Sequence, residues 1–390
     1  MFTNDEHLHD RRLGPRTPHG GWTALQWREG AVVLHWLQTE QRLHKGFDAL
    51  AIALRATLDE LVQTASDARA VWHAAPAVLC HCNDPQTYSI PQAETAYAWL
   101  HMLDRYVRTW LALEHLVRSR LLPMGRFGVR SLDIGTGPGP SAFATHDFFA
   151  ALEDYSRATK TCHWNQPPEV TCVERDMNRI RHLVAERLAI AGAPRSVLAM
   201  TGGIHDFGDL SPPRERKQLE NNLRNQYDEY FNEARGEWDA DPVYTAKEAN
   251  REANSHHRYR LFTFSNFLAT VDMVSTFQDN IEEILTDAGA GSVLLMIGAT
   301  DGCYPEIRER IAKLAQVGRF RRHSAPVRVT SKCTELKQRL REEVRSFYCR
   351  LKRLAGDLPN NGPVGATLRS ELEGDRPMGF GTSTVLAFRK

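Results

Sequence analysis

The chain lacks the features that would place it in a membrane or a disulfide-rich secreted fold. Its longest apolar runs, such as residues 292–297, fall far short of the ~20 residues that cross a bilayer. The first dozen residues mix acids, histidines and arginines, which predicts neither a signal peptide nor an anchor. An excess of charge is missing as well: 49 Lys and Arg against 48 Asp and Glu leave a formal net charge of +1. No global electrostatic footprint therefore points to nucleic acid or anionic lipid. The seven cysteines are an odd set without framework spacing, which suits a reducing compartment, so a cytoplasmic location is expected. Metal-ligand spacing is absent too. Cys80-His81-Cys82 and Cys162-His163 bring soft ligands close, but neither shows C-x-x-C or H-x-x-x-H, so no metal is expected.

At 390 residues the chain exceeds one typical domain. Residues 1–20 have no periodicity and read as a flexible arm. Helical spacing of apolar residues over 23–70, including Leu43, Phe47, Leu50, Leu54 and Leu58, predicts two or three helices. A looser stretch with three prolines follows at 75–91, then one long helix from Pro91 to near Pro123. From residue 129 the pattern changes to short apolar runs separated by helical stretches, the signature of an α/β domain with a buried parallel sheet. Strands are predicted at 129–134, 170–173, 197–200, 261–264 and 292–297, with a last strand at 382–388. Helices are predicted at 175–191, 271–285 and 305–315, and one long helix at 331–354. Residues 327–329 are a short candidate for the sixth strand. The resulting division is an N-terminal helical segment at 1–124 and an α/β domain at 125–390, with an insertion at 208–259.

One run states a ligand. Residues 131–141 read Ser-Leu-Asp-Ile-Gly-Thr-Gly-Pro-Gly-Pro-Ser, a strand entering an acid, Asp133, and three alternating glycines, Gly135, Gly137 and Gly139. Glycine lets the backbone turn sharply and approach a ligand, and the next helix aims free N–H groups at the same place. Pro140 and Ser141 stand where a phosphate-cradling loop needs Lys and Ser or Thr, which excludes that loop. G-x-G-x-G also misses the dinucleotide spacing G-x-G-x-x-G. An acid at the strand end would crowd a pyrophosphate but suits a ligand carrying an amino group and a sulfonium.

This run resembles the first motif of class I S-adenosylmethionine-dependent methyltransferases, D/E-x-G-x-G-x-G, and the resemblance covers about residues 125–390. It implies a Rossmann-like, mostly parallel seven-stranded sheet whose last strand is inserted antiparallel beside the fifth. It also implies S-adenosylmethionine as cofactor, held by Asp133, Gly135, Thr136, Gly137 and Gly139. Glu174, ending the second strand, matches the family's acid that accepts from both ribose hydroxyls. It stands about 35 residues past Gly139 where a compact unit has about 20, and a loop insertion at 155–168 explains the excess. Asp206 and Phe207 are the candidates for the adenine contact, and Ser265 and Asn266 line cofactor and substrate. Phe267 and Leu268 replace the prolines of the motif used by enzymes that methylate base amines.

Methyl transfer needs alignment of a nucleophile, exclusion of water and, for a hydroxyl or ammonium acceptor, a base. His205, His256, His257 and Tyr304 are the catalytic candidates, although Asp301 and Gly302 nearby also read as a turn. A small-molecule acceptor is the leading expectation. Rivals are methylation of RNA or protein, transfer of the cofactor's aminocarboxypropyl arm, and a non-catalytic assembly role. The arginines at 319–328 and 339–353 are a weak nucleic-acid signal, since the second group alternates with acids as a solvated helix face does. The insertion reads as a surface segment or a lid. The N-terminal helices could cover the sheet edge or pair two chains, and a homodimer is the expectation.

Overall fold

A computed structural model describes residues 21–22, 27–81, 84–125, 129–159, 169–174, 178–191, 203–204, 259–265, 267–268, 270–299, 302–323, 325–374 and 382–390. The third strand expected at 197–200 and nearly all of the 208–259 insertion lie outside these residues.

Helices α1 (Trp27–Thr39), α2 (Arg42–Leu61), α3 (Ala65–His81) and α4 (Ala93–Arg118) open the chain. A two-residue strand β1 (Gly21–Trp22) pairs with β2 (Met124–Gly125) just after them. The loose stretch expected from residue 75 is instead helical to His81, with Pro76 inside α3. Proline costs a helix one hydrogen bond, but Ala74, Ala75 and Val78 around it are fully buried, and that packing offsets the loss. Helix α4 is buried along most of its length and carries charged groups inward. These are satisfied locally, Asp104 by Arg108 at 2.5 Å and Glu114 by Arg118 at 2.7 Å and by the Trp110 indole N–H at 3.1 Å.

The sheet contains β3 (Arg130–Ile134), β4 (Glu169–Val173), β5 (Gly203–Ile204), β6 (Leu261–Ser265), β7 (Val293–Gly298), β8 (Arg321–Arg322), β9 (Val327–Thr330) and β10 (Thr382–Arg389). Its order is β5-β4-β3-β6-β7-β10, after which β8 and β9 both pair with the far edge of β10. Neighbours from β5 to β7 are parallel, whereas β10 runs antiparallel to β7 and to the last pair. The final strand is thus inserted antiparallel beside the fifth position, as the family resemblance implied. The sixth position is filled by β9, at the short candidate 327–329, with β8 continuing it. In the third position the described strand is β5, so Gly203 and Ile204 are sheet residues rather than part of a loop.

Helices α5 (Pro140–Ala158) and α6 (Asn178–Ile190) follow the first two parallel strands. Because α5 runs on to Ala158, the first residues of the loop expected at 155–168 are helical, and 160–168 lie outside the described residues. The single helix expected at 271–285 is two, α7 (Val271–Thr276) and α8 (Gln278–Asp287). Phe277 breaks them with φ −102° and ψ 15°, and its ring packs 5.3 Å from that of Phe267. Helix α9 (Tyr304–Val317) follows β7, and α10 (Thr334–Ala355) with α11 (Gly362–Glu373) lie between β9 and β10.

Side chains alternate across each strand, so the sheet has two cores. On one face Leu132, Phe264, Leu294 and Phe388 pack with α7, α8 and α9. On the other, Val170, Leu261, Val293 and Val385 join one continuous core with α1 to α6, α10 and α11. The apolar stripes of the N-terminal helices, among them Phe47, Leu54, Trp99 and Trp110, are therefore buried within their own chain, covering a sheet face. Among the described residues no helix is long and apolar enough to cross a membrane.

Candidate cofactor site at the strand ends

The glycine turn leaves β3 at its carboxyl end, the edge at which open α/β sheets bind ligands. Gly135, Gly137 and Gly139 have φ of 67°, 58° and 98°, a region other residues enter only with strain. The turn is tied to the next strand: the N–H groups of Gly135 and Thr136 both donate to the Val173 carbonyl, at 3.0 and 3.1 Å. Glu174 follows at once, and its Oε2 accepts the Gly137 N–H at 2.6 Å. Gly139 then caps α5, with Pro140 preset for the first turn. Two residues 37 apart in sequence are thereby joined into one acid-lined turn.

Asp133 lies beneath that turn, in register with Cys172 on β4 and Thr263 on β6. Its Oδ2 accepts the Ser141 hydroxyl at 2.6 Å, and its backbone carbonyl accepts the Thr136 hydroxyl at 2.7 Å. Its Oδ1 is buried and has no hydrogen-bond partner among the described residues. Burial disfavours the charged form and pushes the carboxyl up from 3.8 to about 7, against the opposing pull of the Ser141 and Thr136 hydrogen bonds and the Arg181 charge. Burial likewise raises the neighbouring Cys172 thiol to about 12.

Beyond β6 and β7 the walls become apolar. Phe267 presses its ring on Gly135, where a β-carbon would collide with it, and stacks near Phe264 at 6.5 Å and 20°. Phe264, Phe267, Leu268, Met296, Tyr304 and Arg308 line a pocket at these strand ends. Tyr304 opens α9 and packs edgewise on Gly298, another place where a β-carbon would collide. Arg308 donates to the Ala299 carbonyl at 2.9 Å, and burial, with help from Arg322, lowers its proton affinity.

Of the expected residues, Asp133, Gly135, Thr136, Gly137, Gly139 and Glu174 come together in the turn. Ser265 ends β6 beside it, buried and with its hydroxyl unpartnered among the described residues, and Tyr304 lines the apolar pocket. His205, Asp206, Phe207, His256, His257, Asn266 and Asp301 lie outside the described residues, as do Cys82, Cys162 and His163. The arginines of α10 are not a solvated face throughout: Arg339 pairs with Asp48, Arg350 with Asp59 at 2.9 Å and Arg341 with the Gly374 carbonyl, so they dock α10 inside the chain. The structure adds Ser141, Phe267 and Arg181 to the site. Arg181 is buried against Gly139, within electrostatic reach of Asp133. One signal for it was present in the sequence, a lone cation on the same helical face as Val184, Ala185 and Leu188.

No family model and no curated protein matches this sequence. Three solved structures resemble the fold loosely. An S-adenosylmethionine-dependent methyltransferase from Geobacter sulfurreducens, in complex with S-adenosyl-L-homocysteine, is 14% identical over 73% of this chain and 89% of that one, with a TM-score of 0.32. Phosphoethanolamine N-methyltransferase 2 of Haemonchus contortus, in complex with S-adenosyl-L-methionine, is 10% identical over 81% of this chain and 60% of that one, with a TM-score of 0.33. The CurJ carbon methyltransferase is 14% identical over 93% and 70%, with a TM-score of 0.30. At such scores these likenesses carry no weight for function.

Proposed function

We propose that this chain is a cytoplasmic S-adenosylmethionine-dependent methyltransferase acting on a small molecule. The observation that carries the reading is the contact of Glu174 with the Gly137 N–H, which puts an acid at the lip of a glycine turn at the carboxyl ends of parallel strands. The residues present fit the cofactor. Glu174, at the lip of the turn, is read as the acceptor for ribose hydroxyls, and the positive φ of Gly137 leaves the backbone beside that acid without a side chain.

When bound, S-adenosylmethionine supplies a methyl group already activated by the sulfonium. The chain's own work is then to orient and to exclude water. Phe267 and Phe264 close the apolar side of the turn, and Tyr304, which lines the pocket beyond it, is the candidate for contacting an acceptor. Apolar walls suit a small acceptor better than a nucleic acid, whose phosphates would need free cations. Three of the α10 arginines, Arg339, Arg341 and Arg350, are engaged within the chain instead.

Calorimetric titration with S-adenosylmethionine, NAD and ATP tests the reading. S-adenosylmethionine alone should bind at one site, and Glu174→Ala should weaken it about tenfold, the worth of one charge-assisted hydrogen bond. Equal binding of NAD or ATP would overturn it. Mass spectrometry of turned-over cofactor then separates methyl transfer, which leaves S-adenosylhomocysteine, from aminocarboxypropyl transfer, which leaves methylthioadenosine.

A further inference from the structure

A second cavity, of about 210 Å³, opens among α2, α4 and α10 and shares no residue with the turn or the pocket beyond β6 and β7. Its floor is Leu54 and Leu58 from α2, Trp99 and Leu103 from α4 and Phe347 from α10, all buried. The Trp99 indole N–H, the one polar atom of that ring, is spent on the Val344 carbonyl at 2.9 Å. The ring therefore presents only hydrocarbon to the space.

The rim is charged and unbalanced. Arg55 holds Glu343 at 2.5 Å and Arg350 holds Asp59 at 2.9 Å, two ion pairs that tie α2 to α10 beside the opening. Both acids at the rim are thereby matched. Arg353, one turn beyond Arg350 on the same face of α10, adds a third guanidinium for which the rim has no further carboxylate among the described residues. Ser346, exposed on the same face, completes the mouth.

We infer that this cavity is a binding site for a small amphipathic carboxylate, with its ring or branched hydrocarbon on the Trp99, Leu103 and Phe347 floor and its anionic head on Arg353. Size and chemistry agree. A dry apolar cavity of about 150 Å³ holds benzene, so 210 Å³ accommodates one ring with a substituent. A guanidinium is the side chain whose geometry matches a carboxylate. A cation would meet the surplus charge, and a wholly apolar ligand would leave it unused. The site is independent of the cofactor reading, because it draws on none of the same residues.

The test uses the full chain and fluorine NMR, with 4-fluorobenzoate as probe and 4-fluorobenzylamine as its cationic counterpart. At about 10 mM, a concentration that reveals millimolar affinity, the benzoate should broaden and the benzylamine should not. Ser346→Trp, an exposed substitution at the mouth, should abolish the broadening, and Arg353→Glu should weaken binding about tenfold or more. Circular dichroism confirms that both variants fold. Absence of benzoate binding, equal binding of the two probes, or binding that survives Ser346→Trp would each overturn the inference.

Discussion

Replacing Asp133 by asparagine keeps the shape at the centre of the sheet and removes only the charge. The wild-type carboxyl is held at about 7 by burial, against 3.8 in the unfolded chain. Between those values the folded state holds the proton more tightly, so wild-type stability falls as pH rises through this window and is flat above about 7. A tenfold change in proton affinity corresponds to about 1.4 kcal/mol. The displacement from 3.8 to about 7 therefore amounts to about 4 kcal/mol at most, for a side chain fully enclosed between β4, β6 and α5. Asparagine does not titrate, can still accept from Ser141, and carries no charge to desolvate. Urea unfolding of both proteins at a series of pH values measures the difference. The variant should gain on the wild type by a few kcal/mol from about pH 4 to pH 7, with a constant gap beyond. A stability difference independent of pH would refute the burial argument.

Gly135→Ala should destabilise the fold by about 2 kcal/mol or more, from left-handed backbone strain and from collision with the Phe267 ring, as read from thermal unfolding. The double variant with Phe267→Ala should recover part of that loss, and no recovery would contradict the contact. Trp110→Ala should cost about 3–5 kcal/mol, because this buried ring meets Phe148 edge-on at 5.0 Å where the N-terminal helices join the sheet layer; a loss under about 1 kcal/mol would deny the shared core. Brief iodoacetamide treatment followed by peptide mass spectrometry should mark Cys80, Cys303 and Cys349, which are exposed, before Cys172, which is buried with a raised thiol. Early modification of Cys172 would contradict its place at the sheet centre.

The sheet was readable in sequence because parallel strands buried on both faces leave uninterrupted apolar runs, as at Val293–Gly298 and Leu261–Ser265. The turn was readable because three glycines with positive φ have few alternative uses. Glu174 was located by its place at a strand end, but its hold on Gly137 is a tertiary contact that no local spacing encodes. The helix through Pro76 escaped local reading for the same reason, since burial of its neighbours outweighs the proline penalty. The arginines of α10 illustrate the limit most clearly. Spacing placed them on a solvated face, whereas Arg339 and Arg350 reach acids of α2 nearly three hundred residues earlier. Phe277, apolar and in phase with a longer helix, gave no local sign that it would end one helix and begin another.

The central claim is that the turn from Asp133 to Gly139, with Glu174, holds the methyl donor. Titration of the folded wild type and of Gly137→Arg with S-adenosylhomocysteine, followed by calorimetry, tests it most directly. Gly137 has φ 58° and its N–H is bound by Glu174, so an arginine there both strains the turn and fills the approach to it. One-site binding by the wild type and none by the folded variant is the predicted result. Binding unchanged in Gly137→Arg, or absent from the folded wild type at millimolar ligand, would contradict the account.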